Sequence, residues 1–121
     1  MNVFRDQESF MKSCGQTVDG YNEKQFALYV DLITEETTEL TEAIAANDKI
    51  EVLDALIDIL VVAVGALHSM GADAEGAWRE VMATNFAKVD KETGLVRKRE
   101  DGKILKPLLW VAPDLAPFLS K

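Results

Sequence analysis

A single acidic residue in a long apolar run constrains this chain more than any other feature. Asp58 is the only charged residue between positions 55 and 67. A helix that is apolar on nearly every face is buried, so we expect Asp58 to point into a protein interior. A buried carboxylate is tolerated when it is paired, protonated or bound to a metal. No basic residue lies within one helical turn of Asp58, whereas Glu51 and Asp54 precede it at helical spacing. The run therefore favours a carboxylate cluster that holds a cation.

Charge is unevenly distributed along the 121 residues. The chain has 21 acidic and 13 basic residues, a net charge of −8. Residues 31–58 carry nine acids and one base, whereas residues 88–106 carry seven bases and four acids. An acidic centre beside a basic segment suits a metal and a phosphorylated small molecule. It does not suit a nucleic-acid duplex, which requires a broad basic face.

Length and cysteine content favour one cytoplasmic domain over residues 1–121. A chain of this length buries a real core but gains from oligomerisation. Cys14 is the only cysteine, so no intrachain disulfide forms and a reducing compartment is expected. The chain starts without a signal-peptide pattern, and the run 55–67 is too short and too charged to span a bilayer. We therefore expect no membrane partner.

Helical periodicity predicts an all-α fold, an antiparallel four-helix bundle with a short N-terminal helix and an irregular C-terminal tail. The predicted helices cover residues 2–13, 22–46, 49–69 and 74–90. Asn47 or Asp48 can cap the third helix, and Asp73 can cap the fourth. Turn residues around 95–100 predict a small hairpin or a loop, and the prolines that follow exclude a long final helix.

Acidic residues on the second and third predicted helices are the candidate metal ligands. Glu36 continues the apolar stripe of the second helix instead of opposing it, and Glu39 lies one turn further on. On the third helix, Glu51, Asp54 and Asp58 share one ridge. Like charges packed this closely repel strongly unless a cation neutralises them. Carboxylate oxygens favour Mg²⁺, Mn²⁺ or Ca²⁺ over softer metals.

A solvated helix face is the alternative interpretation for some of these acids. It stays open for Glu35 and Glu51, because most helical glutamates face water. A di-iron site is not expected, since it requires Glu-x-x-His pairs. His68 is the only histidine, and Gly65 stands three residues before it.

An acidic motif and four further segments resemble one protein family. Glu35-Glu36-x-x-Glu39, followed after eleven residues by Glu51-x-x-Asp54 and then Asp58, is similar to the EExxE…ExxD signature of the all-α nucleotide pyrophosphohydrolases, the MazG-like superfamily. The other segments resemble its phosphoribosyl-ATP-pyrophosphohydrolase-like branch; they are FMxxxGQ at 10–16, DALIDIL at 54–60, NxxK at 85–88 and DGKILKP at 101–107. When the apolar run is aligned, Asp58 takes the position of the signature aspartate, which favours Asp54 over Glu51 as an additional ligand.

The resemblance implies a Mg²⁺-dependent enzyme that cleaves a ribo- or deoxyribonucleoside triphosphate to the monophosphate and pyrophosphate, with Mn²⁺ as a substitute metal. It implies that Glu35 is the base for the attacking water, or orients that water. The implied metal ligands are Glu36, Glu39, Asp54, Asp58 and Glu51. The implied substrate contacts are Gln16, Asn85, Lys88 and Lys106. For Asn85, a hydrogen bond within the helices is the alternative.

Other interpretations remain at this point. The substrate could be phosphoribosyl-ATP or a damaged nucleotide, because the sequence does not select a base or a sugar. A non-enzymatic interaction module, in which the acids pair with a basic partner, is a different class. Four short helices cannot cover a third helix that is apolar almost all round, which predicts an oligomer. The resemblance implies a homodimer or a dimer of dimers.

Overall fold

The computed structural model describes residues 2–121, and within that range the protein is all-helical without strands. Its elements are α1 Val3–Ser13, α2 Glu23–Ala45, α3 Lys49–Ser69, α4 Ala74–Phe86 and a 3-10 turn at Ala116–Phe118. The all-α prediction is confirmed. The predicted end of α4 at residue 90 is wrong. The backbone N–H of Lys88 bonds to Asn85 O and that of Val89 to Phe86 O, which tightens the chain out of the α-helix.

Polar side chains cap the first three helices. Asn2, Asn22 and Asp48 each accept a hydrogen bond from the backbone N–H three residues further on. Such a cap satisfies a donor that the first helical turn leaves unpaired. Of the two caps predicted for α3, Asp48 is the one used. Asn47 instead follows the end of α2 with a φ of 55°, a left-handed conformation that asparagine tolerates and that stops a helix.

The chain divides into two compact units. The first contains the residues up to Ala74 together with Phe118–Lys121, and the second is Glu75–Pro117. In the first unit, α2 packs along α3, and α1 also contacts α3. Its buried core is formed by Met11, Val18, Tyr29, Val62 and Ala66.

Two sets of contacts hold the start of α2 against the end of α3. The ring of Tyr29 lies so close to Gly65 that a Cβ atom at Gly65 would overlap it. The Gln25 Nε2 donates to Thr17 O at 2.7 Å and to Ser69 Oγ at 2.9 Å. The Gln25 Oε1 accepts from the Thr17 N–H at 2.9 Å. These contacts join α2, α3 and the segment before α2.

One side of α3 stays uncovered within a single chain. Ile50 is 79% exposed and Leu53 is 63% exposed, and four further apolar residues of the helix are also exposed; these are Leu56, Ile57, Leu60 and Val61. The expectation that α3 is buried on nearly every face therefore fails for one chain alone. Trp78 of α4 is exposed as well. No helix within residues 2–121 is long and apolar enough to cross a membrane.

The second unit continues from α4 into two tight turns. Val89 pairs with Val96, and Lys98 pairs with Ile104, each through an isolated antiparallel bridge. Gly94 and Gly102 lie at these turns with positive φ angles of 72° and 89°. Glycine adopts such angles without steric cost, which accounts for both positions. The segment is hairpin-like but too short in its pairing to form strands.

Candidate metal and phosphate sites

Glu36 interacts with three other carboxylates of the first unit. Burial raises the pKa of Glu36 above its ordinary value, and a hydrogen bond to Glu39 together with the Glu39 charge raises it further. The charges of Asp58 and Asp54 on α3 act in the same direction. Like charges favour the protonated form, so these groups are near enough to influence one another. The structure thus brings together the four acids Glu36, Glu39, Asp54 and Asp58.

Asp58 on α3 is affected by burial and by neighbouring carboxylates, as Glu36 is on α2. Burial is the main cause that raises the pKa of Asp58, followed by the charges of Asp54 and Glu39 and a hydrogen bond to Asp54. The apolar run predicted an interior position for Asp58; the side chain is half-buried and lies near the charge of Glu39 on α2.

One oxygen in this acidic group has no partner. Glu36 Oε2 is buried and makes no hydrogen bond in the structure. An unsatisfied buried acceptor is costly, and a cation is a partner that would remove this cost. The surrounding donors are carboxylate oxygens, which are the ligands that Mg²⁺ and Mn²⁺ prefer. The donor set therefore fits a hard divalent cation.

The four acids do not enclose a cation in the present arrangement. Within residues 2–121, no three His, Cys, Asp or Glu side chains are arranged to hold a metal ion. Among the carboxylates, Glu39 contributes most to raising the pKa of Glu36, and Asp54 contributes most to raising that of Asp58. One carboxylate raises the pKa of its neighbour in this way because two adjacent negative charges repel.

Glu35 and Glu51 lie outside this interacting group. Both side chains are exposed, and neither acts on the pKa of Glu36 or Asp58. The backbone N–H of Glu51 bonds to the Asp48 side chain at the start of α3. Glu39 and Asp54 are exposed as well, so Glu35 and Glu51 differ from the group in having no effect on the pKa of Glu36 or Asp58. A role of Glu35 towards a water molecule stays a prediction.

Gln16 occupies a different surface of the first unit. The Tyr29 hydroxyl donates to Gln16 Oε1 at 2.6 Å. Gln16 also lines a cavity of about 490 Å³ together with residues of α2 that include Gln25 and Asp31. None of the four interacting acids lines that cavity. Gln16 and the four acids therefore do not line the same cavity.

In the second unit, the other three predicted substrate contacts meet around Trp110. The Lys88 Nζ donates to Asn85 Oδ1 at 3.0 Å. The Nζ atoms of Lys88 and Lys106 lie 5.0 Å and 4.9 Å from the centre of the Trp110 ring. The sequence reasoning did not predict this contact. No helical or strand spacing relates Trp110 to Lys88, so only the path of the folded chain brings them together.

The all-helical fold and its clustered carboxylates are typical of the MazG-like nucleotide pyrophosphohydrolases. The family described as phosphoribosyl-ATP pyrophosphohydrolase matches residues 7–85, well over half of the chain. The chain belongs to this family, which lies within the MazG-like all-α superfamily, so the resemblance seen in the sequence is confirmed. No curated protein matches the chain.

Family membership defines the class of reaction. The protein is a pyrophosphohydrolase, a hydrolase that acts on phosphoanhydride bonds. This argues against the non-enzymatic interaction module. Members of the family typically depend on a divalent metal. The match ends at residue 85, so Lys88, Lys106 and Trp110 lie beyond it.

Proposed function

We propose that this protein is a Mg²⁺-dependent nucleoside triphosphate pyrophosphohydrolase, which converts a ribo- or deoxyribonucleoside triphosphate to the monophosphate and pyrophosphate. The observation that carries the proposal is the buried, unpartnered oxygen of Glu36 among three other carboxylates. Like charges brought together on two packed helices repel, and a bound cation would relieve that repulsion. Nucleotide polyphosphates reach enzymes as complexes with such cations.

The acids of α2 and α3 have distinct roles in this proposal. Glu36, Glu39, Asp54 and Asp58 hold Mg²⁺, or Mn²⁺ in its place, and Glu51 is a further ligand in the same proposal. Held by these residues, the ion would supply positive charge against the polyphosphate and would lower the pKa of a bound water. Glu35 accepts a proton from that water or orients it. Exposure of the Glu35 side chain leaves it accessible for this purpose.

Polar and basic side chains contact the substrate in the same proposal. Lys88 and Lys106 bind phosphates, which suits their positive charge. Asn85 holds the Lys88 ammonium group through its carboxamide oxygen and contacts base or phosphate. The carboxamide oxygen of Gln16 is used by Tyr29, and its amide group is the part that we assign to substrate.

Phosphoribosyl-ATP is the second candidate substrate. The family match over residues 7–85 favours it, since the family is described by that activity. Both candidates require the same cleavage of a phosphoanhydride bond with release of pyrophosphate. They differ in the group attached to the adenine base, and a damaged nucleotide is a third variant of the same chemistry.

The proposed active form is a single-domain antiparallel four-helix bundle assembled as a homodimer or a dimer of dimers. The exposed apolar side of α3 supports this assembly. Contiguous apolar surface of this kind marks a protein interface in most soluble proteins. A second copy of α3 would cover such a surface with one of equal polarity.

A panel of substrates tests the proposal. Purified protein is incubated with each ribo- and deoxyribonucleoside triphosphate, with phosphoribosyl-ATP and with an oxidised nucleotide, in Mg²⁺, in Mn²⁺ and in a chelator. Pyrophosphate and the monophosphate product are both quantified. We expect equimolar release of the two products in the presence of metal only. Release of inorganic phosphate instead of pyrophosphate would contradict the assignment, and turnover of phosphoribosyl-ATP alone would favour the second candidate.

A further inference from the structure

Trp110 organises the basic side chains of the second unit. Two ammonium groups, those of Lys88 and Lys106, lie within 5.0 Å of the centre of its ring. The face of an indole ring carries negative electrostatic potential and attracts cations at this distance. Two lysines that are far apart in the sequence therefore each lie against the same aromatic side chain.

The ring itself is anchored to α4. The Trp110 Nε1–H donates to Thr84 O at 2.7 Å, and the Trp110 backbone N–H donates to Pro107 O at 3.1 Å. Thr84 belongs to the last turn of α4, and Lys88 follows that turn closely. The indole group is thus fixed by the helix that precedes one lysine and by the segment that carries the other.

The charges of the two lysines remain available for an external anion. None of the ion pairs described for residues 2–121 uses Lys88 or Lys106. Lys88 also lines a cavity of about 310 Å³ whose other basic residues are Lys91 and Arg97. Asp90 is the acidic residue of that lining. Three cations around one opening form a surface that favours a multiply charged anion.

Holding two lysines in place lowers the free-energy cost of binding an anion. Free lysine side chains have high rotamer entropy, which an anion must overcome when it immobilises them. Their ammonium groups also repel each other before an anion is bound. An aromatic ring that attracts both groups lowers these two costs without neutralising either charge.

We propose that Trp110 is a positioning residue that holds Lys88 and Lys106 as a pair for the phosphate chain of the substrate and for pyrophosphate. This inference rests on the proposed function in one respect, namely that the two lysines bind phosphates. It goes beyond that function because it concerns a residue that does not itself contact the phosphates. It also concerns a segment beyond the residues that the family matches.

Substitution of the ring tests the role in turnover. Trp110→Leu should raise the KM for the nucleotide roughly three- to tenfold with kcat nearly unchanged, because cation–π contacts at exposed sites are weak. Trp110→Phe keeps an aromatic face but loses the donor to Thr84, and should give an intermediate KM. Trp78→Phe, a change in the other tryptophan, is the matched control and should leave both constants unaltered.

A comparison in a second background separates positioning from general structure. In a Lys88→Ala, Lys106→Ala protein, Trp110→Leu should produce no further rise in KM, because the groups that the ring holds are gone. An equal rise in both backgrounds would overturn the inference, since the ring would then act independently of the lysines.

Pyrophosphate binding to the wild-type protein provides a readout that needs neither turnover nor a variant that folds. In a two-dimensional NMR spectrum, saturating inorganic pyrophosphate should shift the indole N–H signal of Trp110 more than that of Trp78. An unmoved Trp110 signal would overturn the inference. A shifted signal in a protein without hydrolytic activity would support the inference while the proposed function fails. If Lys88→Ala raises KM but Trp110→Leu does not, the proposed function stands and the inference fails.

Discussion

Gly65 of α3 lies against the ring of Tyr29 of α2 without space for a Cβ atom between them. We predict that Gly65→Ala destabilises the protein by about 1–3 kcal/mol, the usual cost of overpacking a core. This loss should exceed the gain of about 1 kcal/mol that alanine provides in a helix interior. Urea denaturation measures the difference. Gly20→Ala is the control, because a Cβ atom at Gly20 meets no atom within 4 Å. Equal losses of stability in the two variants would show that the contact with Tyr29 does not cause the destabilisation.

Asp58→Asn keeps the shape of the side chain and removes its charge. We expect kcat to fall by roughly two orders of magnitude or more, since a metal ligand of the proposed site is lost. Mg²⁺ binding measured by calorimetry should weaken, while the metal-free fold should remain intact because repulsion from Asp54 and Glu39 is relieved. Glu42→Gln, a change in an exposed acid of α2, is the control for net charge. Unchanged turnover in Asp58→Asn would refute the assignment of Asp58 as a ligand.

The raised pKa values of Glu36 and Asp58 predict how the metal-free protein responds to pH. Below the ordinary carboxyl pKa of about 4, both acids are protonated in the folded and the unfolded states. As pH rises, the unfolded chain releases these protons first, so the free energy of unfolding decreases until the folded acids also ionise. The decrease should be smaller in Asp58→Asn.

Denaturation in a chelator between pH 4 and pH 8 measures this dependence. The difference between wild type and variant is the relevant quantity, because other carboxylates titrate in both proteins. Parallel pH profiles for the two proteins would contradict the prediction. Saturating Mg²⁺ should flatten the wild-type profile, since the ion favours the ionised acids.

The proposed phosphate contacts and metal ligands should fail in different ways. Lys88→Ala and Lys106→Ala should mainly raise KM, with a smaller loss of kcat if the contact tightens in the transition state. Glu36→Gln and Glu39→Gln should lower kcat and be partly rescued by higher Mg²⁺ or Mn²⁺. Lys98→Ala, in the same basic segment, is the control. If both lysine variants keep wild-type kinetic constants, the basic segment is only a solvated surface.

The exposed apolar side of α3 predicts a stable oligomer. Sedimentation at micromolar concentration should show a dimer or a larger assembly, and Leu53→Lys should shift it towards monomer. A lysine at the centre of an apolar interface lacks a partner for its charge, which weakens association. Leu95→Lys introduces the same charge at a residue of the second unit that is 69% exposed, and should leave the assembly intact. A wild-type monomer would refute the prediction.

The parts of the fold set by local chemistry were predictable from the sequence. The Asp48 cap and the all-helical pattern depend on residues within a few positions. The choice of Glu36 and Asp58 as candidate ligands came from their positions relative to the apolar residues of their helices. The end of α4 was not predictable, because the turn that follows it involves pairing of Val89 with Val96. The contact of Trp110 with Lys88 depends on the path of a tail without regular structure. The exposed side of α3 looks like core in sequence, since periodicity does not say whether one chain or two cover a surface.

The contacts around Gln25 also limit how α2 and α3 can move. Sliding α2 along α3 by a turn, about 5.4 Å, would break the bond of Gln25 to Ser69 and would place a side chain where Gly65 meets Tyr29. The axial register of the two helices is therefore fixed where the start of α2 meets the end of α3. Acids that repel one another can change rotamer or move apart sideways. Each acid of α2 nevertheless keeps the same neighbouring acids on α3. The hydrogen bond of Gln25 to Ser69 and the close contact of Gly65 with Tyr29 thus hold the two helices in register despite the repulsion between their acids.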